Sequence, residues 1–224
     1  MNRYKNNFIN WDVCNEVLHY DFYKERLGPN ATLDFFETAQ KLDPLAKLFM
    51  NDFYVVESCD DMNSTVDAYI LRMKELEQAG MLMDGIGIEG HFGVPNLPLM
   101  RAVLDKLATL QLPIWLSEAR YLEAVLRKGF SHPSVNGIVV WAAIHPYGCY
   151  EMCMLNLPTG NVMDNLLKEW QTGTVNGQTD EHGSFSFDGF LGEYKVTVNY
   201  LDRTTNLTFS LRSGSETKHV NIHL

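Results

Sequence analysis

The sequence predicts an α/β fold in which buried parallel strands alternate with helices, followed by a small antiparallel β unit. Three observations carry this. Short apolar segments punctuate the first two-thirds of the 224 residues. Amphipathic stretches with helical spacing lie between them. After Trp170 the pattern changes to period-two alternation.

The apolar segments begin near Ile9 (Ile-Asn-Trp-Asp-Val-Cys-Asn-Glu), Ala46 (Ala-Lys-Leu-Phe-Met-Asn-Asp), Met83 (Met-Asp-Gly-Ile-Gly-Ile-Glu-Gly-His), Pro113 and Gly137 (Gly-Ile-Val-Val-Trp-Ala-Ala). Such runs, with Gly or Pro nearby, mark strands buried on both faces, as in a parallel sheet. A helix is predicted over residues 32–41, with Leu33, Phe36 and Ala39 at helical spacing. A second spans 65–79, carrying Val66, Tyr69, Ile70, Met73 and Leu76 and stopping at Gly80, a residue suited to a left-handed cap. Residues 97–110 and 121–129 give two more. The strands recur at intervals of roughly 25 to 37 residues, the rhythm of βα repeats.

The final stretch reads differently. Ser184-Phe185-Ser186-Phe187, Tyr194-Lys195-Val196-Thr197-Val198, Leu207-Thr208-Phe209-Ser210-Leu211 and His219-Val220-Asn221-Ile222 alternate apolar with polar between turn residues. Each is predicted as a strand of an antiparallel unit. The composition shift near residues 171–175 divides the chain into 1–171 and a β-rich 172–224.

Charge narrows the partners. Eighteen basic against 28 acidic residues give a net charge of −10. That balance disfavours nucleic acid and anionic membrane surfaces, which select clustered Lys and Arg. No apolar run approaches the ~18–20 residues of a membrane span. The N-terminal Met1-Asn2-Arg3-Tyr4-Lys5-Asn6-Asn7-Phe8 has no apolar stretch of the signal-peptide kind. Three glycosylation sequons, at Asn30, Asn63 and Asn206, point weakly the other way, to a secreted ancestor. Cys149 and Cys153 are close enough to bridge or share a metal, but no second pair completes a zinc site. A structural or disulfide role is therefore expected for them, and no metal or cofactor. The sequence carries no signal for oligomeric state.

Two segments carry chemistry. Trp11-Asp12-Val13-Cys14-Asn15-Glu16 and Leu112-Pro113-Ile114-Trp115-Leu116-Ser117-Glu118 are strand-like and each ends on a glutamate. Barrel enzymes place their reactive groups at strand carboxyl ends. Glycoside hydrolysis uses two carboxylates, one as proton donor and one as nucleophile or base. Asn15 is positioned to bond a sugar hydroxyl, His91 to orient a carboxylate, and Trp141 to offer an apolar face to a sugar ring. Glu89 and Asp52 also end apolar segments, and spacing alone does not choose the reactive pair. A single glutamate at a strand end is more often a solvated loop residue, and a lone histidine more often a surface or satisfied core group.

These motifs resemble glycoside hydrolase family 10, in particular its plant endo-1,4-β-xylanases. Trp-Asp-Val-Cys-Asn-Glu resembles the acid/base motif, which implies that role for Glu16 with Asn15 beside it. Pro-Ile-Trp-Leu-Ser-Glu resembles the nucleophile strand, which implies Glu118. Asp84-Gly85-Ile86-Gly87-Ile88-Glu89-Gly90-His91-Phe92 resembles the strand whose histidine contacts the nucleophile. Phe49-Met50-Asn51-Asp52 resembles the strand before it, and Trp141 the tryptophan of the closing strand. Arg26-Leu27-Gly28-Pro29 and Pro158-Thr159-Gly160 extend the match.

The resemblance implies a partial (β/α)8 barrel, about strands four to eight, without counterparts of the first three βα units. It implies retaining hydrolysis of xylan, with xylan or xylo-oligosaccharide as the partner and the cell wall as the compartment. The family follows its nucleophile with an apolar residue and Asp, whereas Glu118 runs into Ala119-Arg120-Tyr121-Leu122. The alternative reading is a truncated, catalytically inactive member that at most binds carbohydrate.

Overall fold

Among the described residues, five strands run parallel in one sheet, and their order in the sheet is their order in the chain: β1 (Asn10–Asp12), β2 (Lys47–Asp52), β3 (Gly85–Ile88), β4 (Ile114–Ala119) and β5 (Val135–Val140). Every neighbouring pair is parallel, so each connection must cross back along the sheet. This computed structural model describes the chain except for residues 59, 82, 120–122, 142–157, 213–216 and 224. The expected pair Cys149 and Cys153 lies outside the described residues. By contacts the chain divides into two compact units, Met1–Val162 and Met163–Leu224.

Helices fill the crossovers: α1 (Phe22–Leu27), α2 (Ala31–Leu42), α3 (Val66–Gln78), α4 (Leu97–Leu107), α5 (Glu123–Phe130) and, after β5, α6 (Pro158–Glu169). Capping explains their starts. Thr65 Oγ1 accepts the Ala68 N–H at 3.2 Å, and Asn96 Oδ1 accepts that of Leu99 at 3.1 Å, each satisfying a donor the helix itself leaves free. α3 stops where Gly80 takes φ +93° and its N–H returns to the Glu77 carbonyl, as a glycine after a helix does. The predicted helix over 97–110 tightens into a 3-10 turn at Ala108–Leu110. There Gln111, at φ +58°, turns the chain toward Pro113 and β4. The short α1, whose six residues are all exposed, and α6 were not foreseen.

The core follows from two periodicities. Helix α3 buries Tyr69, Met73 and Leu76, and α4 buries Met100, Val103, Leu104 and Leu107. Alternate strand positions Leu48 and Met50, Ile86 and Ile88, and Ile114 and Leu116 are fully buried. Each such side chain contributes ~1.5–3 kcal/mol. The intervening positions, Phe49 and Asn51, Gly85 and Gly87, Trp115 and Ser117, belong to the other face of the sheet. That face holds the chemistry.

The second unit carries an antiparallel ribbon, β6 (Gly192–Tyr200) with β7 (Arg203–Leu211), closed by a tight turn after Tyr200. Of the runs predicted as strands, Tyr194-Lys195-Val196-Thr197-Val198 and Leu207-Thr208-Phe209-Ser210-Leu211 lie in it. Residues 184–187 and 219–222 are not strands. Asp180 Oδ1 accepts the main-chain N–H groups of His182 and Ser184 at 2.9 and 2.8 Å, which holds that segment in a turn. Phe185 and Phe187 instead stack on each other, and Phe187 meets Tyr194 at 5.6 Å between ring centroids. Among the described residues no helix is long and apolar enough to cross a membrane.

Candidate active site

A pair of glycines opens the site face. Gly85 and Gly87 of β3 stand beside Phe49 and Asn51 of β2. A Cβ on Gly85 would lie 2.2 Å from the Phe49 ring, and one on Gly87 2.7 Å from Asn51 Oδ1. Only glycine lets the two β2 side chains lie across β3. Asn51 is fully buried, so its amide must find partners. Its Nδ2 donates to Asn15 Oδ1 at 2.7 Å and to Glu89 Oε1 at 3.0 Å, while its Oδ1 accepts from Ser117 Oγ.

The segment after β1 brings Asn15 and Glu16 to this amide. The strand itself ends at Asp12, short of the predicted end on Glu16. Cys14 and Glu16 take φ +52° and +60°, a left-handed geometry unfavourable to residues with a Cβ. The Glu16 N–H donates to the Asn51 carbonyl at 2.9 Å, and Asn15 Nδ2 donates to Glu16 Oε1 at 3.2 Å. Asp52, one of the competing carboxylates, is occupied elsewhere. It accepts the Leu18 N–H at 2.7 Å and the Phe53 N–H at 3.0 Å, and meets His19 Nδ1 at 2.5 Å. It pins the chain beyond Glu16.

Strand β4 delivers Glu118 from inside the strand rather than from its end. The pairing of β4 with β5 shifts register between Leu116 and Ala119. Strict alternation would send Ser117 and Glu118 to opposite faces. Across this irregularity both reach site groups: Ser117 bonds Asn51, and Glu118 Oε2 lies 3.3 Å from His91 Nε2. Bulges of this kind re-aim side chains next to active sites.

His91 closes the cluster. Its Nε2 lies 3.0 Å from Glu89 Oε2 as well as 3.3 Å from Glu118 Oε2. Its main-chain N–H donates to Glu57 Oε1 at 2.9 Å, which fixes the loop beyond β3. Its Nδ1 is buried with no partner among the described residues. The Trp141 ring stands edge-on to the imidazole at 6.1 Å and is 45% exposed, leaving an accessible aromatic surface. The donor atoms of Glu89, His91 and Glu118 fall within 4.8 Å of one another. His91 Nε2 stands at hydrogen-bond spacing from a carboxylate oxygen of each glutamate.

Electrostatics sets Glu89 apart. Its side chain is buried, and burial first, then the charges of Glu118, Glu16, Asp52 and Glu57, push its carboxyl up to about 8. Glu57 is pushed up to about 6, by burial before all else. Carboxyls shifted this way hold a proton in conditions where an exposed glutamate has lost it.

All five residues singled out from the sequence, Asn15, Glu16, His91, Glu118 and Trp141, meet around this cluster. Sequence reasoning left Glu89 as an unassigned competitor and passed over Asn51, Ser117 and Glu57. A signal for Asn51 was present: a carboxamide inside an apolar parallel strand has to be hydrogen-bonded.

Residues 1–147 match the family described as Glycosyl hydrolase family 10. The chain belongs to this family. Among curated proteins it is similar to endo-1,4-beta-xylanase 5 of Arabidopsis thaliana, 38% identical over 240 residues that cover 96% of this chain and 42% of that protein. It is also similar to endo-1,4-beta-xylanase 1 of the same plant, 35% identical over 215 residues covering 88% of this chain and 22% of that one. The chain thus spans less than half the length of these relatives. Among solved structures, xylanase 10B from Thermotoga petrophila, crystallised with xylobiose, superposes with a TM-score of 0.59 at 20% identity, over 75% of this chain and 62% of that one. The five βα units are part of a (β/α)8 barrel, about its strands four to eight, followed by the small antiparallel β unit.

Proposed function

We propose that this chain carries the reactive centre of a retaining glycoside hydrolase acting on β-1,4-xylan. Glu16 protonates the departing glycosidic oxygen while Glu118 attacks the anomeric carbon. Glu16, returned to its carboxylate, then draws a proton from the water that cleaves the glycosyl-enzyme ester. Asn15 binds a sugar hydroxyl beside the scissile bond, His91 holds Glu118 in its attacking conformer, and Trp141 offers its exposed face to a xylose ring. Xylan and xylo-oligosaccharides are the proposed partners, supported by the xylanases to which the chain is similar. Residues 172–224 form a separate β-rich unit in this reading.

One observation carries the proposal. A continuous line of polar contacts joins the two glutamates: Glu16 to Asn15, Asn15 to Asn51, Asn51 to Glu89, Glu89 to His91 and His91 to Glu118. Two carboxylates held through one polar network, buried at Asn51 and Glu89, are pre-organised as acid–base and nucleophilic chemistry requires. The test is release of reducing sugar from xylan and xylohexaose by the purified chain. Turnover lost in Glu118→Ala, with the first product retaining the β-anomer by NMR, supports the reading. Binding of xylohexaose without turnover above that variant would replace it with the alternative, a carbohydrate-binding member of the family.

A further inference from the structure

One imidazole nitrogen serves two carboxylates. His91 Nε2 lies 3.0 Å from Glu89 Oε2 and 3.3 Å from Glu118 Oε2, both within hydrogen-bond reach. The other nitrogen, Nδ1, is buried and meets no partner among the described residues. A hydrogen there would be an orphaned buried donor, whereas a bare acceptor lone pair is cheaper to leave unpaired. Of the two neutral tautomers, the pocket favours the one with its hydrogen on Nε2. A single N–H then faces two acceptors and cannot satisfy both well.

We propose that Glu89 is a positioning residue that competes with Glu118 for the one N–H of His91, so that the ionisation of Glu89 decides which carboxylate the imidazole holds. The placement of Glu89 fits this task. Its Oε1 is fixed by Asn51 Nδ2 at 3.0 Å, its side chain is only 2% exposed, and the carboxyl is turned to His91 with little freedom to rotate away. Glu118, 23% exposed on its side chain, is the looser partner. While Glu89 is protonated it has no full negative charge to draw the N–H, and the hydrogen bond goes to Glu118. Once Glu89 ionises, its nearer oxygen captures the N–H, and Glu118 loses its anchor and gains a like-charged neighbour.

The groups that face Glu89 favour the first state. Glu118 reaches it from β4, Glu16 from the segment after β1, and Asp52 and Glu57 from the end of β2 and the loop beyond, every one a carboxylate that raises the cost of a further negative charge. His91, from its own loop, is the protic group beside it. The consequence for hydrolysis rests on Glu118 being the nucleophile. The contest for the proton does not, and it is read without turnover.

The experiment follows the His91 ring nitrogens of the full chain, labelled with 15N, by NMR from pH 5.5 to 9.5. The signal is assigned by its loss in His91→Gln. The expected result is an inflection near pH 8 that disappears in Glu89→Gln and moves to lower pH in Glu118→Gln, where a repelling charge has gone. A flat His91 signal, or an inflection that persists unchanged in Glu89→Gln, would overturn the proposal. Should Glu89→Gln fail to fold, the Glu118→Gln arm decides alone, and an unmoved midpoint there overturns it. If xylan is hydrolysed, Glu89→Gln should also extend activity to higher pH. Absence of hydrolysis in every form counts against the proposed function and leaves the nitrogen titration standing.

Discussion

Gly87 and Asn51 are paired across β3 and β2, and Asn51 Oδ1 sits 2.7 Å from where a Cβ on Gly87 would stand. Asn51 Cβ and the Met50 carbonyl are also near, each at 3.1 Å. The Asn51 side chain has no room to retreat, since Asn15, Glu89 and Ser117 hold its polar atoms. Gly87→Ala should therefore displace the amide and destabilise the fold by ~1–3 kcal/mol, as overpacking a filled site does. Urea denaturation measures the loss. A wild-type midpoint in Gly87→Ala would mean that Asn51 moves freely, against the network described.

Much of the barrel portion was legible because its signals are local. Helix α3 announced itself through Tyr69, Met73 and Leu76 on one face and Gly80 at the end. The parallel strands did so through continuous apolar runs. Glu118 was legible as a residue but its delivery was not, because the register shift between Leu116 and Ala119 arises from pairing with β5. Asn51 and Glu57 escaped for a related reason. Their roles exist only where β2 and its loop meet Asn15, Glu89 and His91. In the second unit, alternation alone could not separate β6 and β7 from residues 184–187, whose phenylalanines stack rather than pair in a ladder.

Stability should fall as pH rises from the weakly acidic range. The Glu89 carboxyl has an ordinary value of 4.5 and is pushed up to about 8 in the folded chain. Between those limits the folded chain binds a proton that the unfolded chain has lost, so each rise in pH favours unfolding. The contribution is complete below pH 4.5 and gone once pH passes about 8. Its slope within the window is at most ~1.4 kcal/mol per pH unit. Glu57 adds a similar slope between 4.5 and about 6. Melting temperatures by circular dichroism across pH 4.5–9 test this window, and Glu89→Gln should flatten the curve above pH 6. A melting temperature that climbs toward pH 8 would contradict the burial of Glu89.

Removing either carboxylate of the proposed pair should separate their roles. Glu118→Ala should reduce hydrolysis by on the order of 10⁴-fold or more, as deleting a nucleophile does, and small anions such as azide should restore part of it. Glu16→Ala should slow substrates with poor leaving groups far more than activated aryl xylosides, whose leaving groups need no protonation. Equal loss on both substrate types would remove Glu16 from the acid role.

The last prediction concerns the seam between helix and sheet. Tyr69 is fully buried in α3, and its hydroxyl lies 2.7 Å from the Met50 carbonyl and 3.2 Å from that of Gly87. The phenol thereby bridges β2 and β3 at the positions that carry the site. Tyr69→Phe keeps the ring and removes the donor, which should cost ~1–2 kcal/mol. Tyr69→Ala also empties the volume and should cost ~3–5 kcal/mol. Both effects appear as a lower urea midpoint with an unchanged slope, the mark of a stability change without a change in the surface exposed. If Tyr69→Phe were neutral while Tyr69→Ala lost several kcal/mol, packing alone would tie α3 to the sheet. The hydroxyl would then have no part in holding Met50 and Gly87 together.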